Sequence, residues 1–282
     1  MKGLAGRIIG ALSTLFGGPA AEAAERITTA EIPSVALGRI LPVTVVAPAT
    51  DAAWSEGAVL YMLHGRGRHH RSLIDSPAAR AALLAAPCYV VLPQGEDGWY
   101  LDSPAQPAAR YAAYLAEVVA WTERTLPVGR TAARRGIAGW SMGGYGAVRF
   151  AETHPGQFGF VASVIGLLDF PRAATLPEGQ NYAVPVARFT ADPATWAALN
   201  PLNGVEQLRG AALTLVLATQ GFERTMNEHF LAALGARGLP ARVHRLDGGH
   251  EFSLVERALP LVLADAAEFF HKDSAPPPHP IP

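Results

Sequence analysis

A chain of 282 residues, half of them hydrophobic and 17% charged, is long enough to bury a large core and too apolar to remain a disordered polymer, so one large α/β domain is expected. Its formal net charge of −1 sets up no field that would gather nucleic acid or an anionic membrane, and neither is expected as a partner. Cys88 is the single cysteine; a disulfide framework and a cysteine metal cluster are therefore both excluded.

At the start of the chain, Lys2 and Arg7 precede an apolar stretch from Ile8 to Phe16 and the small-x-small pattern Ala21-Glu22-Ala23. This is the layout of a secretory signal peptide, so residues 1–25 are read as an extension directing export to the periplasm or beyond. Gly10, Gly17, Gly18 and Pro19 interrupt the apolar core and leave a frayed cytoplasmic extension as the alternative reading. The stretch is too short to span a bilayer.

From residue 26 to 272, apolar strand-like runs alternate with helical patterns, the signature of a mainly parallel sheet covered on both faces. Strands are expected at Leu41 to Val46, Ala58 to Leu63, Cys88 to Leu92, Arg135 to Ala138, Phe160 to Ile165, Leu213 to Ala218 and Arg242 to Leu246. Cys88 accordingly reads as a buried strand residue. Between them, Pro107 to Thr125 places Tyr111, Tyr114, Leu115, Val118 and Val119 at helical spacing, and 227–237 and 254–270 follow the same period. Residues 166–212 lack clean periodicity and hold Phe170, Tyr182, Phe189, Trp196 and five prolines. A segment this long and this aromatic reads as a small cap inserted between two strands. The proline-rich 273–282 reads as a disordered tail.

Gly139-Trp140-Ser141-Met142-Gly143 fits the pattern GxSxG. The strand ending at Ala138 precedes it, and a helix from Gly144 to Glu152 follows and stops before His154-Pro155, the strand-turn-helix context of a nucleophile elbow. A serine projecting from so tight a turn needs neighbours without Cβ atoms, which 139 and 143 supply. Such a nucleophile needs a base. Of the nine histidines, His250 in Leu246-Asp247-Gly248-Gly249-His250 follows the last expected strand and completes the chain order serine, acid, histidine. His154, His229, His244 and His271 read as structural or solvated, and His64 as shaping a turn. The acid should follow the strand ending at Ala218. Glu223 is the only carboxylate in the loop 219–226, with Asp169 and Asp247 left as the other choices.

One backbone N–H after the nucleophile, at Met142, and one after the strand ending His64-Gly65, at Arg66, are the expected oxyanion donors. The same loop is strongly basic, Gly65-Arg66-Gly67-Arg68-His69-His70-Arg71, and reads either as a solvated turn or as a selector of anionic substrates. Arg68, His69, Trp140 and Trp99 are the candidate substrate contacts. No Walker lysine, third dinucleotide-binding glycine or HExxH zinc motif occurs, so no cofactor or metal is expected.

Taken together, Val59 to Gly65, Val91-Leu92-Pro93 with Gly98-Trp99-Tyr100, Ile137 to Ala147 with its string SMGGYGA, His154-Pro155 with Phe158, and Gly249-His250 resemble the esterase family of α/β hydrolases. That family includes tributyrin esterases, S-formylglutathione hydrolases, feruloyl esterases and antigen 85 mycolyltransferases. The resemblance runs from about Ile27 to Phe270 and implies the α/β-hydrolase fold, a small-molecule ester substrate of short to medium acyl length, Ser141 and His250 as catalytic residues, and the Arg66 and Met142 amides as oxyanion hole. Two departures stand out. Relatives usually carry an aspartate shortly after a glycine where this chain has Gln220-Gly221-Phe222, and a tryptophan where it has the basic cluster. Acyl transfer to a sugar or lipid alcohol, or a catalytically silent binding protein, are the alternative readings.

Overall fold

Strand periodicity of two decides the layering of this chain. In β3 (Val59–Leu63), Val59, Tyr61 and Leu63 enter one hydrophobic cluster, while Leu60 and Met62 enter another on the opposite face. A strand buried on both faces reads as a continuous apolar run, and the runs of β4 (Tyr89–Pro93), β5 (Arg135–Trp140) and β6 (Phe160–Val164) are buried almost throughout. The computed structural model describes residues 26–49 and 57–272. The leader-like segment and the proline-rich end lie outside the described residues.

Eight strands form one sheet in the order β1-β2-β4-β3-β5-β6-β7-β8. The two N-terminal strands, β1 (Ile27–Ser34) and β2 (Arg39–Val46), pair antiparallel with each other, and β2 pairs antiparallel with β4. All other pairings, out to β7 (Ala212–Ala218) and β8 (Ala241–Leu246), are parallel. This is the mainly parallel α/β sheet expected of the α/β-hydrolase fold. Strand β1 was not anticipated. Its sequence ITTAEIPS has few apolar positions, and it lies at the sheet edge with only one partner.

Helices α2 (Tyr111–Thr125) and α3 (Met142–Thr153) cover one face, together with α6, which is Arg224–Ala236. The other face is covered by α1 (Pro77–Ala85) and by α7 (Phe252–Lys272), the last helix of the described chain. Between β6 and β7 the chain makes only short turns of helix, including α4 (Val186–Phe189) and α5 (Trp196–Leu199). No helix among the described residues is long and apolar enough to cross a membrane.

Sheet order reverses around β3 and β5: from β3 the chain moves outward to β4, then returns to β5 on the other side and continues to β8. A crevice opens at the carboxyl ends of strands where such a reversal occurs. The loop after β3 and the turn after β5 meet at that point.

Candidate active site

The turn from β5 into α3 is shaped by close approach of backbones. A Cβ on Gly143 would lie 2.2 Å from the carbonyl oxygen of Leu63, and one on Gly139 would lie 2.3 Å from that of Gly143. Neither backbone can yield, so both positions exclude side chains. Ser141, between them, adopts φ 54°, ψ −121°, a region that L-residues occupy only under strain. The strain lifts the hydroxyl clear of the turn. It also begins α3 at Met142, whose N–H, in the first turn of the helix, has no intrahelical acceptor.

Ser141 Oγ lies 2.8 Å from His250 Nε2, and His250 Nδ1 lies 2.8 Å from Glu223 Oε2. An ionised carboxylate only accepts, so Nδ1 carries the imidazole proton and donates it to Glu223. Nε2 is then a free lone pair that accepts from the serine hydroxyl. Glu223 is fully buried and directly precedes α6. Gly221 makes room for it, since a Cβ there would meet the Glu223 carboxylate at 2.2 Å. Phe222, in between, turns outward and packs on the His250 ring, centroid to centroid 4.4 Å.

The competing carboxylates are engaged elsewhere. Asp169 accepts from Asn200 Nδ2 at 2.8 Å and pairs with His229 and Arg172. Asp247 accepts from Thr219 and Gln220. His244 is held by Asp265, and His154 stacks on Phe150.

Opposite the serine, the loop after β3 is fixed by its own hydrogen bonds. The Gly65 carbonyl accepts from the Arg68 N–H at 3.1 Å and from His64 Nδ1 at 2.8 Å. In a planar trans peptide the next N–H points the opposite way, so anchoring the Gly65 oxygen also aims the Arg66 N–H. Gly65 lies against Trp140 and Ser141 and leaves no space for a side chain, since a Cβ there would meet Trp140 Nε1 at 2.7 Å and the Ser141 Cβ at 3.3 Å. The side chain of Arg66 is tied down as well, to Asp97 at 3.0 Å and to the Tyr182 hydroxyl at 2.8 Å.

His64 has one tautomer available. The Gly95 N–H donates to its Nε2 at 2.8 Å, so Nδ1 must hold the proton it gives to Gly65. Burial pushes its pKa from 6.5 down to about 4. Unfolded His64 therefore takes up a proton before the folded residue does, and stability falls as pH drops from 6.5 through about 4, by an amount on the order of 3 kcal/mol. Urea unfolding at pH 7 and pH 5 should show a larger loss for the wild type than for His64→Gln. Equal losses would mean that the imidazole carries no such linkage.

The cleft beside Ser141, of about 440 Å³, is lined by Gly65, Arg66, Arg68, Trp140, His250 and Phe252, with Ile165, Glu251 and Val255 completing the wall. None of these belongs to residues 166–211. That segment reaches the site indirectly, through Tyr182, which holds Arg66 and stacks on Phe222 at 5.3 Å. Of the expected substrate contacts, the structure brings Arg68 and Trp140 to the cleft. It does not bring Trp99, which is 1% exposed and sits in an aromatic cluster with Tyr145, Phe170, Tyr182 and Phe189. An indole so enclosed has no face left for a ligand. His69 is exposed but is not among the residues lining the cleft. Phe222 and Phe252 were not anticipated, and Tyr182 only as one aromatic of the inserted segment; aromatic character alone marked them, and the sequence holds many aromatics elsewhere. No group of three or more metal-ligating side chains occurs among the described residues.

Comparisons with known proteins identify the family and the fold. The family described as "Putative esterase" matches residues 34–264. Esterase Rv1288 of Mycobacterium tuberculosis is 26% identical over 254 residues, covering 74% of this chain; the chain spans about half, 54%, of that protein's length. An acetyl esterase of Caldicellulosiruptor saccharolyticus is 22% identical, with 76% of this chain and 84% of the relative covered. Among solved structures, an S-formylglutathione hydrolase from Agrobacterium tumefaciens superimposes with a TM-score of 0.72 at 18% identity, covering 86% of this chain and 94% of its own, a likeness of fold. With the family matched across most of its length and the sheet order and elbow in place, the chain belongs to the esterase family of α/β-hydrolase proteins.

Proposed function

We propose that the protein is a serine carboxylesterase acting on short to medium acyl esters through an acyl-enzyme. The observation that carries this reading is the hydrogen-bonded line from Ser141 Oγ to His250 Nε2 and from His250 Nδ1 to Glu223, both links 2.8 Å, ending at a strained serine in an open cleft.

The chemistry follows from which atom holds each proton. As Oγ attacks the ester carbonyl, its proton passes to Nε2. The imidazolium that results is stabilised by the buried Glu223 carboxylate, its partner across Nδ1–H. The carbonyl oxygen becomes an anion facing the N–H groups of Met142 and Arg66, and a donor of this kind is worth roughly 3–4 kcal/mol in the transition state. Collapse of the tetrahedral species breaks the bond to the alcohol oxygen, which leaves with the Nε2 proton. Water then enters, gives its proton to Nε2, attacks the acyl-enzyme and releases the acid, restoring Ser141. No cofactor takes part in these steps.

A fluorophosphonate probe mimics the tetrahedral phase and stays covalently attached. It should add to the wild-type protein at one site, which mass spectrometry of the digested protein assigns to Ser141. Hydrolysis of 4-nitrophenyl butyrate should cease in step with labelling. An adduct at another residue, or an unlabelled but hydrolytically active protein, would overturn the assignment.

A further inference from the structure

The basic loop after β3 contributes three arginines, of which Arg66 and Arg68 line the cleft, and the structure separates them. Arg66 is bound to Asp97 and Tyr182, and Arg71 to Asp75 at 3.2 Å; these two are occupied in holding the loop. Arg68 differs. It is exposed, it lines the same cleft as Ser141, and no carboxylate among the described residues pairs with it. Its guanidinium is held over the Phe252 ring, 4.4 Å from the centroid. Stacking uses the face of a guanidinium and leaves its in-plane N–H fork free. A planar fork of that kind matches a carboxylate through two parallel hydrogen bonds.

From this we propose that Arg68 is the specificity-determining residue of the site and that the preferred esters carry a carboxylate, which the Arg68 fork binds while the ester carbonyl sits at Ser141. The inference rests on the acyl-transfer reading above. The ring beneath Arg68 belongs to the first residue of α7, only two positions from His250, so the cation is fixed to the same segment that carries the proposed base. Arg68 is fixed from its own side as well, because its backbone N–H is bound to Gly65. One acid, Glu251, shares the cleft wall. Its charge opposes an incoming carboxylate, and its removal should act in the direction opposite to removal of Arg68.

The test compares matched esters in the wild-type protein, Arg68→Gln and Glu251→Gln. In the first pair, mono-4-nitrophenyl glutarate against 4-nitrophenyl butyrate, the carboxylate lies on the acyl side. In the second pair, 4-acetoxybenzoate against phenyl acetate, it lies on the alcohol side. The readout is the ratio of kcat/KM for the anionic ester to that for the neutral one, so general damage to the site cancels. Hydrogen bonds to charged groups predict that Arg68→Gln lowers this ratio about tenfold in at least one pair. Glu251→Gln should raise it, and added salt should lower it in the wild type more than in Arg68→Gln. Ratios in Arg68→Gln within about twofold of wild type for both pairs, well below the tenfold expected of a charged hydrogen bond, would overturn the proposal. Absence of turnover on both neutral esters, together with no fluorophosphonate adduct, would instead overturn the acyl-transfer reading on which it rests.

Discussion

Ser141→Ala and Ser141→Gly should both abolish ester turnover, yet the glycine variant should unfold at the higher temperature. Without the hydroxyl there is no nucleophile, and loss of this group in a triad enzyme typically lowers kcat by about 10⁶-fold. The variants differ in the backbone. Alanine keeps the strained conformation at φ 54°, ψ −121°, and a residue held in such a region costs about 1–3 kcal/mol. Glycine adopts it freely but adds roughly 0.5–1 kcal/mol of chain entropy to the unfolded state. The hydrogen bond to His250 is lost in both, so it does not enter the comparison. What remains favours glycine by about 1 kcal/mol, a difference of roughly 2–4 °C in a domain of this size. Thermal melts of the two inactive proteins read this directly. An alanine variant as stable as the glycine variant, or more so, would show that the elbow is not strained.

Why a protein would hold its proposed nucleophile in strain is visible in the surrounding contacts. The tight turn brings Gly143 against the carbonyl of Leu63, at the end of β3. The loop that follows β3 carries the Arg66 N–H. Close packing at Gly143 therefore sets the distance between the two proposed oxyanion donors, Met142 on one side and Arg66 on the other, before any substrate arrives. Preorganised donors need no rearrangement as charge develops, which is the main source of their effect.

Much of this was legible in the sequence, and the exceptions have physical reasons. The central strands announced themselves because burial on both faces demands unbroken apolar runs such as Val59–Leu63. The elbow did so because two glycines flanking a serine, between a strand and a helix, have few other uses. Glu223 could be selected by its place after β7. Its fit depends on a methylene more of reach than aspartate has and on the empty space at Gly221, neither of which a linear pattern reveals. Strand β1 escaped notice because an edge strand needs little apolar surface. Trp99 was misassigned since an aromatic residue in a loop looks alike whether it faces a ligand or four other rings. The three arginines of the basic loop were indistinguishable in sequence. The Arg66 partners Asp97 and Tyr182 come from elsewhere in the fold and Asp75 lies one turn beyond Arg71, and only those pairings leave Arg68 as the one of the three without an acid among the described residues.

Glu223→Gln carries the second large effect, and it acts through a proton. The carboxylate only accepts, which obliges His250 to keep its proton on Nδ1 and present a bare Nε2 to Ser141. A glutamine amide can donate its N–H to Nδ1, which moves the imidazole proton to Nε2 and leaves the serine without a base; the equivalent change in a serine protease triad lowers kcat about 10⁴-fold. Stability should move little or rise, since the variant no longer buries a charge whose Oε1 lacks a partner. Glu223→Asp tests reach rather than charge. The negative charge remains, but the carboxylate withdraws from Nδ1 by about one C–C bond, and misplacement on that scale can cost about 100-fold. Steady-state kinetics on 4-nitrophenyl butyrate, with melts to show both variants folded, should therefore rank wild type above Glu223→Asp and Glu223→Asp above Glu223→Gln. Retention of near wild-type kcat by Glu223→Gln would place the orienting acid elsewhere, although Asp169 and Asp247 are both already engaged by other partners.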